Sequence, residues 1–248
     1  MDRLIYTGLS AMQRGQEAQA VTAHNLANSA TPGFRREMIA VERGHLVSDR
    51  NGAAVATRVQ AGAETRHDLM RTGRIEMTGR GLDLAMDGGA WLAVEDANRA
   101  EALTRRGDLR LTAEGQLVTG SGHPAMGNAG PVRLAAGFAE VRIGPDGRVE
   151  TRAEAGLPFI EVDRLKLVSP APGTLRRGVD GLFRSEAPLA ADPLATVTAG
   201  ALELSNVETA QALVELVEQS RAFEIQTKLL QSARDMDERT AGLMRVEG

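Results

Sequence analysis

Asn25-Leu26-Ala27-Asn28-Ser29-Ala30-Thr31-Pro32-Gly33-Phe34-Arg35 is where the character of the chain changes. Upstream, from about Leu4 to Asn28, there is no proline, and alanine and glutamine dominate, which favours one helix of roughly 25 residues, about 37 Å long. Thr31-Pro32-Gly33 then supplies a residue without an amide hydrogen and one free to adopt positive φ, so the helix is expected to end near Asn28. One face carries Ile5, Leu9, Met12, Gln16, Gln19, Ala23 and Leu26, in the alternating steps of a coiled-coil seam. The adjacent stripe, Leu4, Gly8, Ala11, Gly15, Ala18 and Thr22, is mostly small and permits close backbone approach, although each glycine costs the helix about 1 kcal/mol relative to alanine.

The carboxyl end repeats the theme. From about Val207 to Met244 the chain has no proline and predicts a second long helix. Its main stripe is Val214, Arg221, Ile225, Leu229, Ser232, Met236 and Leu243. Leu216, Phe223 and Leu230 project well over ~100° away from Ile225, so one partner helix does not cover both sets. An isolated amphipathic helix gains too little burial to offset its ordering, so these ends are expected to be largely disordered in the free monomer.

Between about Gly73 and Thr198 the chain is dense in glycine and proline and shows short alternating segments. Leu82 to Met86, the turn Asp87-Gly88-Gly89 and Trp91 to Val94 read as a hairpin. Further strands are expected at Leu109 to Thr112, Leu117 to Thr119, Val141 to Ile143, Val149 to Thr151 and Phe159 to Val168, with turns at Glu114-Gly115 and Pro145-Asp146-Gly147. Arg36 to Thr72 is polar, with modest alternation from Val55 to Val59, and reads as an extended connector. The expected fold class is α+β: long N- and C-terminal helices paired as a coiled coil, and a central antiparallel all-β domain. The segments would be residues 1–35 (first helix), 36–74 (connector), 75–203 (β domain) and 204–248 (second helix).

Composition narrows the function classes. Aromatics are 3% of the chain and the formal net charge is −4, a poor match to base stacking or phosphate binding, so no nucleic-acid partner is expected. There is no cysteine, which removes disulfides, thiolate metal sites and cysteine nucleophiles. No apolar run approaches the roughly 20 residues of a spanning helix, so no membrane insertion is expected. Gln13 and Arg14 interrupt the apolar start before any small-residue cleavage site, unlike a secretory leader.

His24, His45, His67 and His123 show no metal-ligand spacing. Gly120-Ser121-Gly122-His123-Pro124-Ala125 formally fits a dinucleotide-binding fingerprint, but Pro124, Gly127, Gly130 and Pro131 argue against the helix that it must open. Asp83 and Asp87 have no proton-transfer partner nearby in sequence, and no G-x-S-x-G, P-loop or H-E-x-x-H occurs. No catalytic residue, metal or cofactor is therefore assigned. Arg35-Arg36 and Arg105-Arg106 read as solvated or ion-paired.

The stretch from Asn25 to Arg35 resembles the signature shared by flagellar rod and hook proteins, N-L-A-N-x-x-T-x-G-[FY]-[KR]. Leu204-Ser205-Asn206-Val207 and Arg221-Ala222-Phe223-Glu224 are similar to parts of that family's last helix. Thr78-Gly79-Arg80-Gly81-Leu82-Asp83-Leu84-Ala85-Met86-Asp87-Gly88 and Leu103-Thr104-Arg105-Arg106-Gly107 look like β-domain motifs of its longer rod members. Trp91 and His24 depart from residues common there, phenylalanine and asparagine.

The resemblance implies a non-enzymatic structural subunit of the basal-body rod, nearer the proximal than the distal kind. It implies assembly with copies of itself and other rod subunits, location in the periplasm-spanning rod, and export without a cleaved leader. Candidate assembly residues are Ile5, Leu9, Met12, Leu26, Val214, Phe223, Ile225, Leu229, Met236 and Leu243 on the helices, with Asn25, Asn28 and Phe34 in the signature. A distal-rod or hook-like subunit is the nearest alternative, and a secreted β-domain binding module with a helical stalk is a more distant one.

Overall fold

The computed structural model describes the backbone of residues 2–47, 56–135 and 137–246, and the side chains of residues 8–39, 68–135 and 137–236. In chain order the elements are α1 (Asp2–Ala27), β1 (Glu37–Val47), β2 (Ala56–Asp68), β3 (Ile75–Met77), β4 (Leu84–Met86), β5 (Trp91–Glu95), β6 (Glu101–Thr104), β7 (Leu109–Leu111) and β8 (Leu117–Thr119). They continue with β9 (Glu140–Ile143), β10 (Arg148–Arg152), β11 (Ile160–Arg164), β12 (Leu167–Val168), β13 (Leu175–Arg177), β14 (Phe183–Ser185), β15 (Val197–Ala199), β16 (Ala201–Glu203) and α2 (Thr209–Val246). The fold is α+β, with a helix at each end and several antiparallel sheets between. Two compact units emerge: residues 1–29, 36–69 and 207–248 form one, and residues 30–35 and 70–206 the other.

In the first unit α1 stops at Ala27, and its last turn is closed by the Asn28 amide donating to the His24 and Asn25 carbonyls. The stretch expected to be an extended connector instead forms the antiparallel pair β1 and β2, in register from Glu37 opposite Asp68 to Val47 opposite Ala56, with two irregularities. Polar residues on both sides of the alternation disguise these strands in the sequence, and each satisfies its backbone through the other. Val55 lies outside the described residues.

The second unit is built from short strands. A five-stranded sheet runs in the order β12, β5, β6, β14, β13, and a three-stranded sheet in the order β11, β10, β9. β7 with β8 and β9 with β10 pair across the expected Glu114-Gly115 and Pro145-Asp146-Gly147 turns. The hairpin expected between Leu82–Met86 and Trp91–Val94 does not form. β4 pairs with β15, and β5 pairs with β6 and β12.

The reason is burial. Leu92 and Val94 enter the main core with Leu84, Met86, Leu109, Leu117, Val149 and Val197, while Trp91 and Ala93 enter a second cluster with Leu103, Val168 and Phe183. A strand covered on both faces takes the neighbours that complete both cores, and a local turn signal is too weak to override that.

The tip between β5 and β6 shows how these turns are held. One Asp96 carboxylate oxygen accepts from the amides of Asn98 and Ala100 at 2.8 and 2.9 Å, and Arg184 donates to the other at 2.7 Å. The Arg184 hydrogen bond holds the Asp96 carboxyl below its ordinary range. This stabilisation is therefore present above the unfolded pKa of about 4 and is lost as the pH falls through the lower folded value. Within the tip, Arg99 sits at φ +62°, the left-handed region that favours glycine. Arg99→Gly is expected to raise stability by about 0.5–1 kcal/mol, read as a higher urea midpoint at unchanged slope. A lower midpoint would show that the arginine side chain compensates its backbone.

Candidate functional site

Two features stand out: a buried charge cluster in the β unit and a pair of helices in the other. The cluster centres on Glu203, at the end of β16, which is 1% exposed. One of its carboxylate oxygens accepts from Arg35 Nη1 and from the Gly73 amide at 2.8 Å; the other accepts Arg105 Nε at 2.8 Å and Nη2 at 2.5 Å. Four donors saturate a carboxylate. Arg105 spends its remaining hydrogens on the carbonyls of Met86, Gly88 and Ala90. Burial pulls the Arg105 guanidinium below its ordinary range, and the Glu203 charge opposes that shift.

Aromatic rings line the cluster. Arg35 and Arg105 each lie 6.0 Å from the Trp91 ring centre, Trp91 stands 4.8 Å from Phe183, and Arg177 lies 4.7 Å above Phe34 and 5.0 Å above Phe183. The signature residues fit here for steric reasons. Gly33 has φ +69°, and a Cβ on it would fall 2.3 Å from the Arg105 carbonyl group. Its amide donates to the Glu203 carbonyl at 2.7 Å, and the Asn206 amide donates to the Phe34 carbonyl at 3.3 Å. The segment 33–35 is thus laced to 203–206.

In the helical unit α1 and α2 run antiparallel along one another. A Cβ on Gly8 would meet Leu230, one on Gly15 would lie 3.7 Å from Gln226 Oε1, and Gln219 Nε2 donates to Thr22 Oγ1 at 3.0 Å. The contact stripe of α1 is therefore the small-residue one, and this corrects the expected seam. Leu9 is 49% exposed, and Gln16 and Ala23 are exposed too. Both stripes have seam spacing, and side-chain size decides between them. Glycines admit bulky α2 residues that Leu9 and Met12 would hold away.

On α2, Ala212, Leu216, Gln219, Phe223, Gln226, Leu230 and Ala233 fall on one run in alternating steps of four and three, and all are buried or half-buried. On another side Val214, Ile225, Leu229 and Met236 remain 57–60% exposed. Among the other assembly candidates, Met12, Leu26 and Phe34 are half-buried. Asn25 is buried, trading side-chain hydrogen bonds with the Glu37 main chain at 2.8 Å in both directions. Asn28 Nδ2 donates to the His24 carbonyl at 3.0 Å. The helices include Ile5 and Leu243, but their side chains lie outside the described residues, as do those of His45 and His67.

Sequence reasoning missed Glu203 altogether and read Arg35 and Arg105 only as solvated or paired. They are paired, but deep inside. The two aspartates weighed for proton transfer are pinned: Asp83 accepts from Thr78 Oγ1 and Arg80, and Asp87 from the hydroxyls of Thr196 and Thr198. A cleft of about 240 Å³ lies against Glu101, Leu103, Arg184, Pro188 and Leu189, where Lys166 holds Glu101 and two aspartates hold Arg184. Among the described residues no group of His, Asp or Glu is placed to hold a metal, and no helix is long and apolar enough to cross a membrane.

Comparison with known proteins bears on the same segments. Family models described as Flagella basal body rod protein, Flagellar hook protein FlgE/F/G D1 domain and Flagellar basal body rod FlgEFG protein C-terminal match residues 5–35, 85–151 and 198–243. Relatives include the flagellar basal-body rod protein FlgF of Salmonella typhimurium, 36% identical over 98% of this chain and 99% of that protein. FlgF of Escherichia coli is 37% identical over 95% of each. FlgG of Bacillus subtilis is 26% identical over 99% of this chain and all of that protein.

Glu203→Gln leaves two buried arginines facing a neutral amide, and is expected to destabilise the β unit by about 3–5 kcal/mol. Urea unfolding followed by the fluorescence of Trp91 measures it. A loss under about 1 kcal/mol would mean that the cluster tolerates an uncharged centre.

Proposed function

The chain belongs to the flagellar basal-body rod protein family and is a structural subunit of the rod rather than an enzyme; from that premise we propose that its helices pair as a coiled coil whose outer stripe is covered by neighbouring subunits. The observation that carries this reading is the double stripe of α2. One run lies on the side of α1, and the other, Val214, Ile225, Leu229 and Met236, is left more than half in water. The alternating steps of four and three on both contacting stripes support the coiled-coil assignment.

In this reading the helices of residues 1–35 and 204–248 build the wall of the export tube. The β strands within residues 75–203 make lateral contacts that stiffen it against torque, and β1 with β2 lie in the linking segment 36–74. The partners are copies of this chain and other rod subunits, placed head to tail as a helical assembly requires. We assign the subunit to the proximal part of the periplasm-spanning rod, reached by flagellar export without a cleaved leader. With FlgF taken as the proximal and FlgG as the distal member, the FlgF relatives of Salmonella typhimurium and Escherichia coli at 36–37% identity, against 26% for FlgG of Bacillus subtilis, support proximal over distal.

Leu229→Asp changes a side chain 59% exposed in the free chain, so folding stability should move by less than about 0.5 kcal/mol. Incorporation into basal bodies and swimming should nevertheless be lost, and normal motility would remove Leu229 from the interface. Imaging of basal bodies carrying a tag in the β unit should place the label in the proximal rod; a label at the distal rod or hook would overturn that assignment.

A further inference from the structure

We infer that the register of α2 on α1 is set by two polar contacts acting together, Arg36 with Glu215 and Thr22 with Gln219, so that neither helix slides by a heptad. The inference rests on the coiled-coil reading and adds what selects one alignment of that coil.

The apolar seam does not select it. Gly8 and Gly15 stand one heptad apart, as do Leu216, Phe223 and Leu230, so a heptad slip would again set a large side chain against a glycine. Such a slip moves the helix by about 10 Å. The seam also holds buried polar atoms: Gln219 Oε1 and Gln226 Oε1 have no hydrogen-bond partner among the described residues. An unsatisfied buried oxygen destabilises by about 1–3 kcal/mol. A polar residue in a coiled-coil seam is a known means of fixing register at the expense of stability.

Arg36 makes the second contact. It donates to both carboxylate oxygens of Glu215 at 2.9 and 2.8 Å. Its backbone is referenced to α1, because Asn25 clasps the main chain of the next residue, Glu37, from both sides. The Leu69 amide donates to the Arg36 carbonyl at 2.8 Å. Arg36 therefore marks the position of α1, and Glu215 that of α2.

Each contact excludes one slip. Moving α2 one way sets Gln226 against Thr22, which keeps a glutamine there, but sets Ala222 against Arg36. Moving it the other way sets Glu208 against Arg36, which keeps an ion pair, but sets Ala212 against Thr22. Only the observed register satisfies both. Since Val214, Ile225, Leu229 and Met236 ride on α2, the same pair of contacts decides the height at which that stripe meets a neighbour.

The chain has no cysteine, so engineered thiols read register directly in the full-length protein. Gly15→Cys with Gln226→Cys reports the observed alignment, and Gly15→Cys with Ala233→Cys the alignment one heptad away. With Arg36 and Glu215 intact, the first pair should cross-link at least tenfold better than the second. Glu215→Ala should raise the second product at least tenfold, with the Trp91 unfolding curve unchanged. Arg36→Glu combined with Glu215→Arg should restore the original preference. Unaltered preference in Glu215→Ala, or no recovery in the charge-swapped chain, would overturn the inference. No cross-link from either pair in the parent chain would remove the helix pairing itself, and this inference with it.

Discussion

Two arginines and a main-chain amide close on the buried Glu203 carboxylate, and the β unit is arranged around satisfying it. Taking a carboxylate and two guanidiniums out of water costs several kcal/mol per ion, and mutual attraction repays this only with good geometry and complete hydrogen bonding. The chain supplies both at Glu203 and Arg105, and leaves Arg35 Nε buried without a hydrogen-bond partner among the described residues. Three carbonyls from the end of β4 and the turn after it receive the rest of Arg105, and Gly33 lets the chain pass against the Arg105 backbone where a side chain has no room. Apolar packing of equal volume would be at least as stabilising. What the charges add is selectivity, because any other path for residues 33–35 leaves a buried ion alone. Residues 33–35, after α1, and 203–206, before α2, are therefore held side by side although Arg35 and Glu203 stand 168 residues apart.

The helical unit follows a different logic. Its seam is thin on α1 and bulky on α2, so contact is made by side chains of one helix reaching the backbone of the other. Small seams of this kind bury little area and define alignment poorly. Polar contacts at the edge and inside the seam make good the deficit in definition, and unsatisfied glutamine oxygens are its cost. Each helix finds part of its cover within the same chain.

What could be read from the sequence was local. The end of α1 was legible because Pro32 and Gly33 act on their own backbone, and the β7–β8 and β9–β10 pairs because their turns are a few residues long. The partner of β4 lies over a hundred positions away in β15, and nothing near Leu84 names it. Glu203 was invisible for the same reason, since its arginines are 168 and 98 residues distant. The choice between two adjacent stripes of α1 was hidden differently. Periodicity weighs positions and not sizes, and both stripes carry the same steps, so only the bulk of Leu230 and Gln226 shows which side faces in.

The exposed stripe of α2 carries its own quantitative constraint. Burying a wholly exposed side chain of this size gains about 1.5–3 kcal/mol, so residues already part-covered have roughly 1–2 kcal/mol each still to gain. Four of them offer roughly 4–8 kcal/mol, while bringing two proteins together costs about 4–15 kcal/mol in lost freedom. A single contact of this stripe with another copy therefore nets little, and charged neighbours such as Arg221, Glu224 and Lys228 keep it hydrated in the free chain. A subunit joining a growing rod is in another situation, because it meets several neighbours while losing its freedom once. As the proposed interface, the stripe would be weak enough to leave single chains apart and large enough to hold them where contacts multiply.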